Sequence, residues 1–150
     1  MATTTASLTI TSSDLVGDAL SLSTTNTLHK AGTTTGLEQS TGLASVYLTA
    51  TTNVDLFGAI VDTPAYQGKT HWVYICNKAT DETEYATITV GDKVIGRLYA
   101  GDFMWMPWDT AEDSDSGNKH ADIELAPSVA TGMHIEYAMF HEGFQLTTAV

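Results

Sequence analysis

Apolar side chains in this chain recur at every second position, in short runs broken by Gly and Asp. That period belongs to β-strands, whose side chains alternate between two faces, and not to helices, which need a repeat near 3.6. Leu8 and Ile10 alternate with Ser7, Thr9 and Thr11, and Ala44, Val46 and Leu48 alternate with Ser45, Tyr47 and Thr49. From His71 to Cys76 both faces are apolar: Trp72, Tyr74 and Cys76 on one, Val73 and Ile75 on the other. Such a run suits a central strand covered on both sides. Further runs at Tyr85–Val90, Lys93–Tyr99, Phe103–Trp108, Ala121–Leu125 and Met133–Phe140 are rich in the β-branched and aromatic residues that strands favour.

The punctuation agrees. Gly91-Asp92 and Gly101-Asp102 separate successive runs, and residues 126–132 divide the last pair. Only Asp14 to Leu20, with Ser13 as N-cap, suggests a turn or two of helix. The expected fold is all-β, an antiparallel β-sandwich of jelly-roll type in one compact domain. Residues 1–53 hold 15 of the 25 threonines and no tryptophan, whereas residues 54–150 hold all three tryptophans. The first part is expected to be an extended Thr-rich arm or a set of edge strands, and the second the sandwich core. An arm of that composition buries little by itself and gains stability by lying on the core or on a neighbouring subunit.

Charge narrows the function. Eighteen acids against six bases give a net charge of −12, and the bases (Lys30, Lys69, Lys78, Lys93, Arg97, Lys119) form no cluster that would attract nucleic acid. No apolar run approaches the ~20 residues of a membrane span. The opening MATTTASLTITSSD lacks the basic start and apolar stretch of a secretory signal. One cysteine, Cys76, excludes an internal disulfide and CxxC zinc spacings, and its place in an apolar strand predicts inert packing.

Acidic residues offer two metal readings. Asp113, Asp115 and Glu124 stand at positions 1, 3 and 12 of a calcium-loop pattern, but Gly117 and Asn118 reverse the order that positions 5 and 6 need. With no flanking helices, a solvated hairpin tip carrying Asp109, Glu112, Asp113 and Asp115 explains them as well. His120, Asp122 and Glu124 share one strand face, as do His134 and Glu136, and imidazole with carboxylate suits zinc or manganese. Ala121, Ile123 and Leu125 already supply a buried face, so the simplest orientation of that polar row is toward water. No G-x-S-x-G, H-E-x-x-H or phosphate-loop pattern is present, so neither catalysis nor a cofactor is expected.

Phe103 to Trp108 carries the largest apolar side chains. Alternation sets Phe103, Trp105 and Pro107 on one face and Met104, Met106 and Trp108 on the other. Both faces need cover, one from a core and the other from an arm or a neighbouring subunit. A strand buried within one domain explains the same pattern equally well; on the interface reading, Leu8, Ile10, Phe103, Trp105 and Trp108 are the expected interface residues.

The run W-V-Y-I-C-N-K-A-T-D-E-T-E-Y-A-T-I-T-V-G-D-K-V-I-G-R-L-Y-A-G-D-F-M-W-M-P-W, Trp72 to Trp108, resembles small virion structural proteins of tailed bacteriophages. So do D-I-E-L-A-P-S-V-A-T-G-M-H-I-E-Y-A-M-F, Asp122 to Phe140, and T-T-G-L-E-Q-S-T-G-L-A-S, Thr34 to Ser45. The resemblance implies a capsid decoration (cement) protein, made in the host cytoplasm and placed on the capsid exterior as a homotrimer bound to the major capsid protein. The arm would reach across a junction and extend a neighbour's sheet. The alternatives are a tail, neck or fibre component, or a carbohydrate-binding β-sandwich that stacks sugars on Trp105, Trp108 and Tyr99.

Overall fold

A computed structural model describes residues 3–13, 19–37, 39–49, 51–57, 71–108 and 122–142. The described residues form eleven strands and no helix, and every pairing is antiparallel. Among the described residues β1 (Thr4–Ser12) and β2 (Leu20–Leu28) pair only with each other, as a two-stranded ribbon. β3 (Gln39–Ser40) and β4 (Ala44–Leu48) lie one after the other along one edge of β11 (Met133–His141). β11 then pairs with β6 (His71–Asn77), and β6 with β9 (Phe103–Trp108). A second large sheet runs β5 (Val54–Asp55), β10 (Ile123–Pro127), β7 (Tyr85–Val90), β8 (Lys93–Tyr99). Leu20 opens β2, which corrects the helical expectation at its C-terminal end; residues 14–18 lie outside the described part.

Both large sheets contribute to one hydrophobic core. From the β6 sheet come Leu48, Val73, Ile75, Trp108, Met133, Ile135 and Met139; from the β7 sheet come Ala86, Ile88, Leu98, Ile123 and Leu125. Phe57 packs on Trp108, with ring centroids 5.2 Å apart, and edge-on to Tyr137 at 5.5 Å. Alternation explains the membership. In β6 the odd-numbered Val73 and Ile75 are fully buried while Trp72 and Tyr74 are half-buried on the opposite face. In β9 Met104 and Met106 pack on the core, and Phe103 is exposed.

The connections pass repeatedly from one large sheet to the other, and Asn77 secures one such passage. The turn after β8 brings the chain back to β9, with Asp102 N–H donating to the Tyr99 carbonyl (2.9 Å) and Gly101 at φ +83°. That left-handed conformation favours glycine. Fully buried at the end of β6, Asn77 donates its backbone N–H to Asp102 (3.0 Å) and accepts from Gly101 N–H (2.9 Å). Its side chain donates to the Leu98 carbonyl (3.0 Å) and accepts from Ala79 N–H (2.8 Å). One amide thereby links the β6 sheet to Leu98, next to the end of β8.

Replacing Asn77 by Leu leaves the Leu98 carbonyl and the Ala79 N–H without these hydrogen bonds, at a cost of about 2 kcal/mol. Urea unfolding of Asn77→Leu should show a lower midpoint with an unchanged slope. An unchanged midpoint would show that the amide does not link the sheets.

Candidate functional site

Outside the core, the described residues include two apolar surfaces that lie close to each other. The first is the outer face of the β6 sheet. Register sets Phe140 beside Trp72 and Pro107, and Ala138 beside Tyr74 and Trp105. Trp72 and Trp105 stack, with centroids 5.3 Å apart and planes 18° apart, and Phe140 meets Trp105 edge-on at 5.5 Å. Phe103 stands 59% exposed at the rim, near Tyr74. Tyr74 donates its hydroxyl to Glu136 Oε1 (3.3 Å), and burial first, with Cys76 and Glu136 adding, pushes its pKa up to about 12. The phenol therefore stays a neutral donor at any physiological pH.

The second surface is the β1–β2 ribbon. Its unbroken register gives the two faces opposite characters. On one face Thr5, Ser7, Thr9 and Thr11 stand opposite Thr27, Thr25, Ser23 and Ser21. These hydroxyls satisfy one another across the strands: Ser7 with Thr25 at 2.9 Å and Thr9 with Ser23 at 3.4 Å. On the other face Leu8, Ile10, Leu20 and Leu22 are exposed by 41%, 43%, 46% and 44%. Covering such half-exposed side chains contributes about 1 kcal/mol each. The base of the ribbon is fixed: Leu28 and Leu37 are buried, Leu37 N–H donates to the Leu28 carbonyl (2.9 Å), and the Thr4 hydroxyl donates to the Leu37 carbonyl (3.2 Å).

Between the two surfaces runs a groove of about 910 Å³, walled by Thr4–Thr9 and Thr24–Asn26 and floored by Trp72, Tyr74, Trp105 and Phe140. None of its lining residues carries a charge.

The structure places the sequence-derived candidates as follows. Leu8 and Ile10 lie on the exposed ribbon face, and Phe103 and Trp105 on the aromatic face. Trp108 is corrected: at 4% exposure it belongs to the core, because it shares the inward face of β9 with Met104 and Met106. The sugar platform of Trp105, Trp108 and Tyr99 is therefore not assembled, since Tyr99 lies in the other sheet, its ring tilted against Tyr85 at 5.3 Å. Asp113 and Asp115 lie outside the described residues, as do Asp109, Glu112 and His120.

Glu124, on β10, accepts from Asn53 Nδ2 (2.6 Å), while His134 and Glu136, on β11, engage Tyr47 and Tyr74 in the other large sheet. These two polar rows thus lie in different sheets, and among the described residues no three His, Cys, Asp or Glu side chains converge on a metal position. Leu20, Leu22, Trp72, Tyr74 and Phe140 join the site without having been singled out for it. The alternation of Leu20 with Leu22 was the available signal for the ribbon's second strand.

Comparison with known proteins finds no matching family model, no matching curated protein and no matching solved structure.

One pair of titratable groups sits apart from these surfaces. His71 and His141 are cross-strand neighbours, each 1% exposed, with rings 6.5 Å apart. Burial lowers the His141 pKa, and a backbone hydrogen bond with Glu142 offsets this in part. A histidine whose pKa is lowered on folding leaves the unfolded chain binding more protons. Its stabilising contribution is thus complete above the ordinary value of 6.5 and is lost as pH falls below it. Acidification from about pH 7.5 to about pH 5.5 should lower the melting temperature of the wild type more than that of His141→Leu. Equal losses in the two proteins would exclude His141 as the source.

Proposed function

We propose that this chain is a bacteriophage virion structural protein, a capsid decoration (cement) protein that stabilises contacts between major capsid subunits as a homotrimer on the capsid exterior. The observation that carries this reading is the uncharged β1–β2 ribbon, which projects apolar side chains and open strand edges beside an aromatic sheet face. A component that is soluble when free and fixed when assembled needs such a surface.

The strand orders support a jelly-roll sandwich. Apart from the ribbon and the two-residue β3, the sheets read β4-β11-β6-β9 and β5-β10-β7-β8. Such orders are those expected of a chain folded back along its length and wound into two facing four-stranded sheets, an architecture used by viral capsid proteins and by lectins. The lectin use is the less favoured. Trp72 and Trp105 stack on each other, so each already spends one ring face that a sugar would need. The acidic balance of −12 suits an exterior position, away from packaged nucleic acid.

Pelleting assays with capsids of the parent virion, stripped of surface proteins, test the proposal. Saturable binding is expected, with a copy number that scales with the capsid subunits and a higher rupture temperature of the shell. Leu8→Asp/Ile10→Asp should reduce binding at least tenfold. Binding confined to one vertex would assign the chain to the neck or tail instead, and no binding would contradict the virion reading.

A further inference from the structure

Most sheet edges of this molecule are protected; the five-residue β4, beside β11, and the ribbon are not. β8 carries a bulge opposite Ile88 and Thr89 together with Lys93 and Arg97; β9 carries Pro107; β3 and β5 have two residues each. Bulges, cations, proline and shortness are the devices that stop an edge from pairing with another chain. The ribbon has none of them. Its two nine-residue strands contain no charge, no proline and no bulge, and among the described residues no strand pairs with either edge. A two-stranded ribbon is marginal in water by itself, so this one is built to be completed.

Charge identifies what completes it. Two copies of a chain with net charge −12 repel each other unless they meet through surfaces free of acids. The ribbon is such a surface, and the groove lining is another. Pairing ribbon edge to ribbon edge would leave the aromatic floor bare. Laying a ribbon in the groove covers Ile10, Leu20 and Leu22 together with Trp105 and Phe103 in one contact. We propose that the groove receives the outer half of the β1–β2 ribbon from a second copy of this chain, so that copies join head to tail. Such a heterologous contact closes into a ring when the rotation between copies permits. The inference deepens the assembly reading above and rests on it, but it concerns only contacts between copies.

Sedimentation equilibrium of the full chain supplies the test, with Ile10→Asp/Leu22→Asp, a cross-strand pair outside the groove lining, disabling the ribbon and Phe103→Asp/Trp105→Ser disabling the groove. Circular dichroism checks folding, and Phe103→Asp alone, at the exposed rim, serves if the double groove variant does not fold. The wild type should be oligomeric and each variant monomeric. An equimolar mixture of the two variants should form a dimer, because one intact ribbon and one intact groove remain.

A monomeric wild type overturns the inference, as does a ribbon variant that still self-associates. A groove variant that still self-associates would indicate symmetric ribbon pairing, and two monomeric variants that do not combine would exclude the ribbon-in-groove contact; either result also overturns it. So would a monomeric wild type whose groove binds oligosaccharides in a Trp105-dependent manner. Capsid binding by a monomer would overturn this inference and leave the decoration reading standing. Self-association without capsid binding would do the reverse.

Discussion

The sharing of one hydrophobic core by both large sheets constrains everything else in this protein. Once Val73, Ile75, Met139 and Trp108 are committed to that core beside Ile88, Ile123 and Leu125, alternation leaves no choice about their neighbours. Trp72, Tyr74, Trp105 and Phe140 must stand on the opposite face, whatever that exposure costs. A sequence selected only for a stable monomer would place polar residues there, as β10 does with Glu124. Here aromatic rings stack on one another instead and remain partly uncovered. The core thereby generates a partly exposed aromatic outer surface as a direct consequence of strand geometry.

The ribbon follows a different logic. Its hydroxyl face is internally satisfied and its base is anchored through Leu28, Leu37 and Thr4, so its direction is set by the body. Its aliphatic face and both edges are unsatisfied within the described chain. The contrast with the bulged, cationic β8 edge shows that this fold blocks strand pairing in one place and leaves it open in another. Hydroxyl-rich composition fits that division: threonine and serine keep the free ribbon soluble without charges that would repel a second copy of an acidic chain.

Much of the body was legible because two-sided apolar strands announce themselves. The ranges of β7, β8 and β9 were read as they stand, and the split of Phe103, Trp105 and Pro107 from Met104, Met106 and Trp108 matches the two faces of β9. Which face turns inward was not legible, since both are apolar. Burial is decided by the strands packed opposite, and Trp108 was accordingly misplaced at an interface. β2 went unread because, after Leu20 and Leu22, its residues Ser23–Thr27 carry no apolar alternation; cross-strand partners in β1 define it instead. The groove was invisible for a related reason. It joins residues near position 6 to residues near 105 and 140, and only tertiary structure brings those together.

The central claim is that the ribbon and the aromatic face exist to be covered in an assembly. Hydrogen–deuterium exchange measured across a dilution series tests it most directly. The account predicts that amides of Leu8, Ile10, Leu20 and Leu22 gain protection as concentration rises, while those of Val73, Ile75 and Met139 stay equally slow throughout. Fast exchange along the ribbon at every concentration, and on added capsids as well, would contradict it.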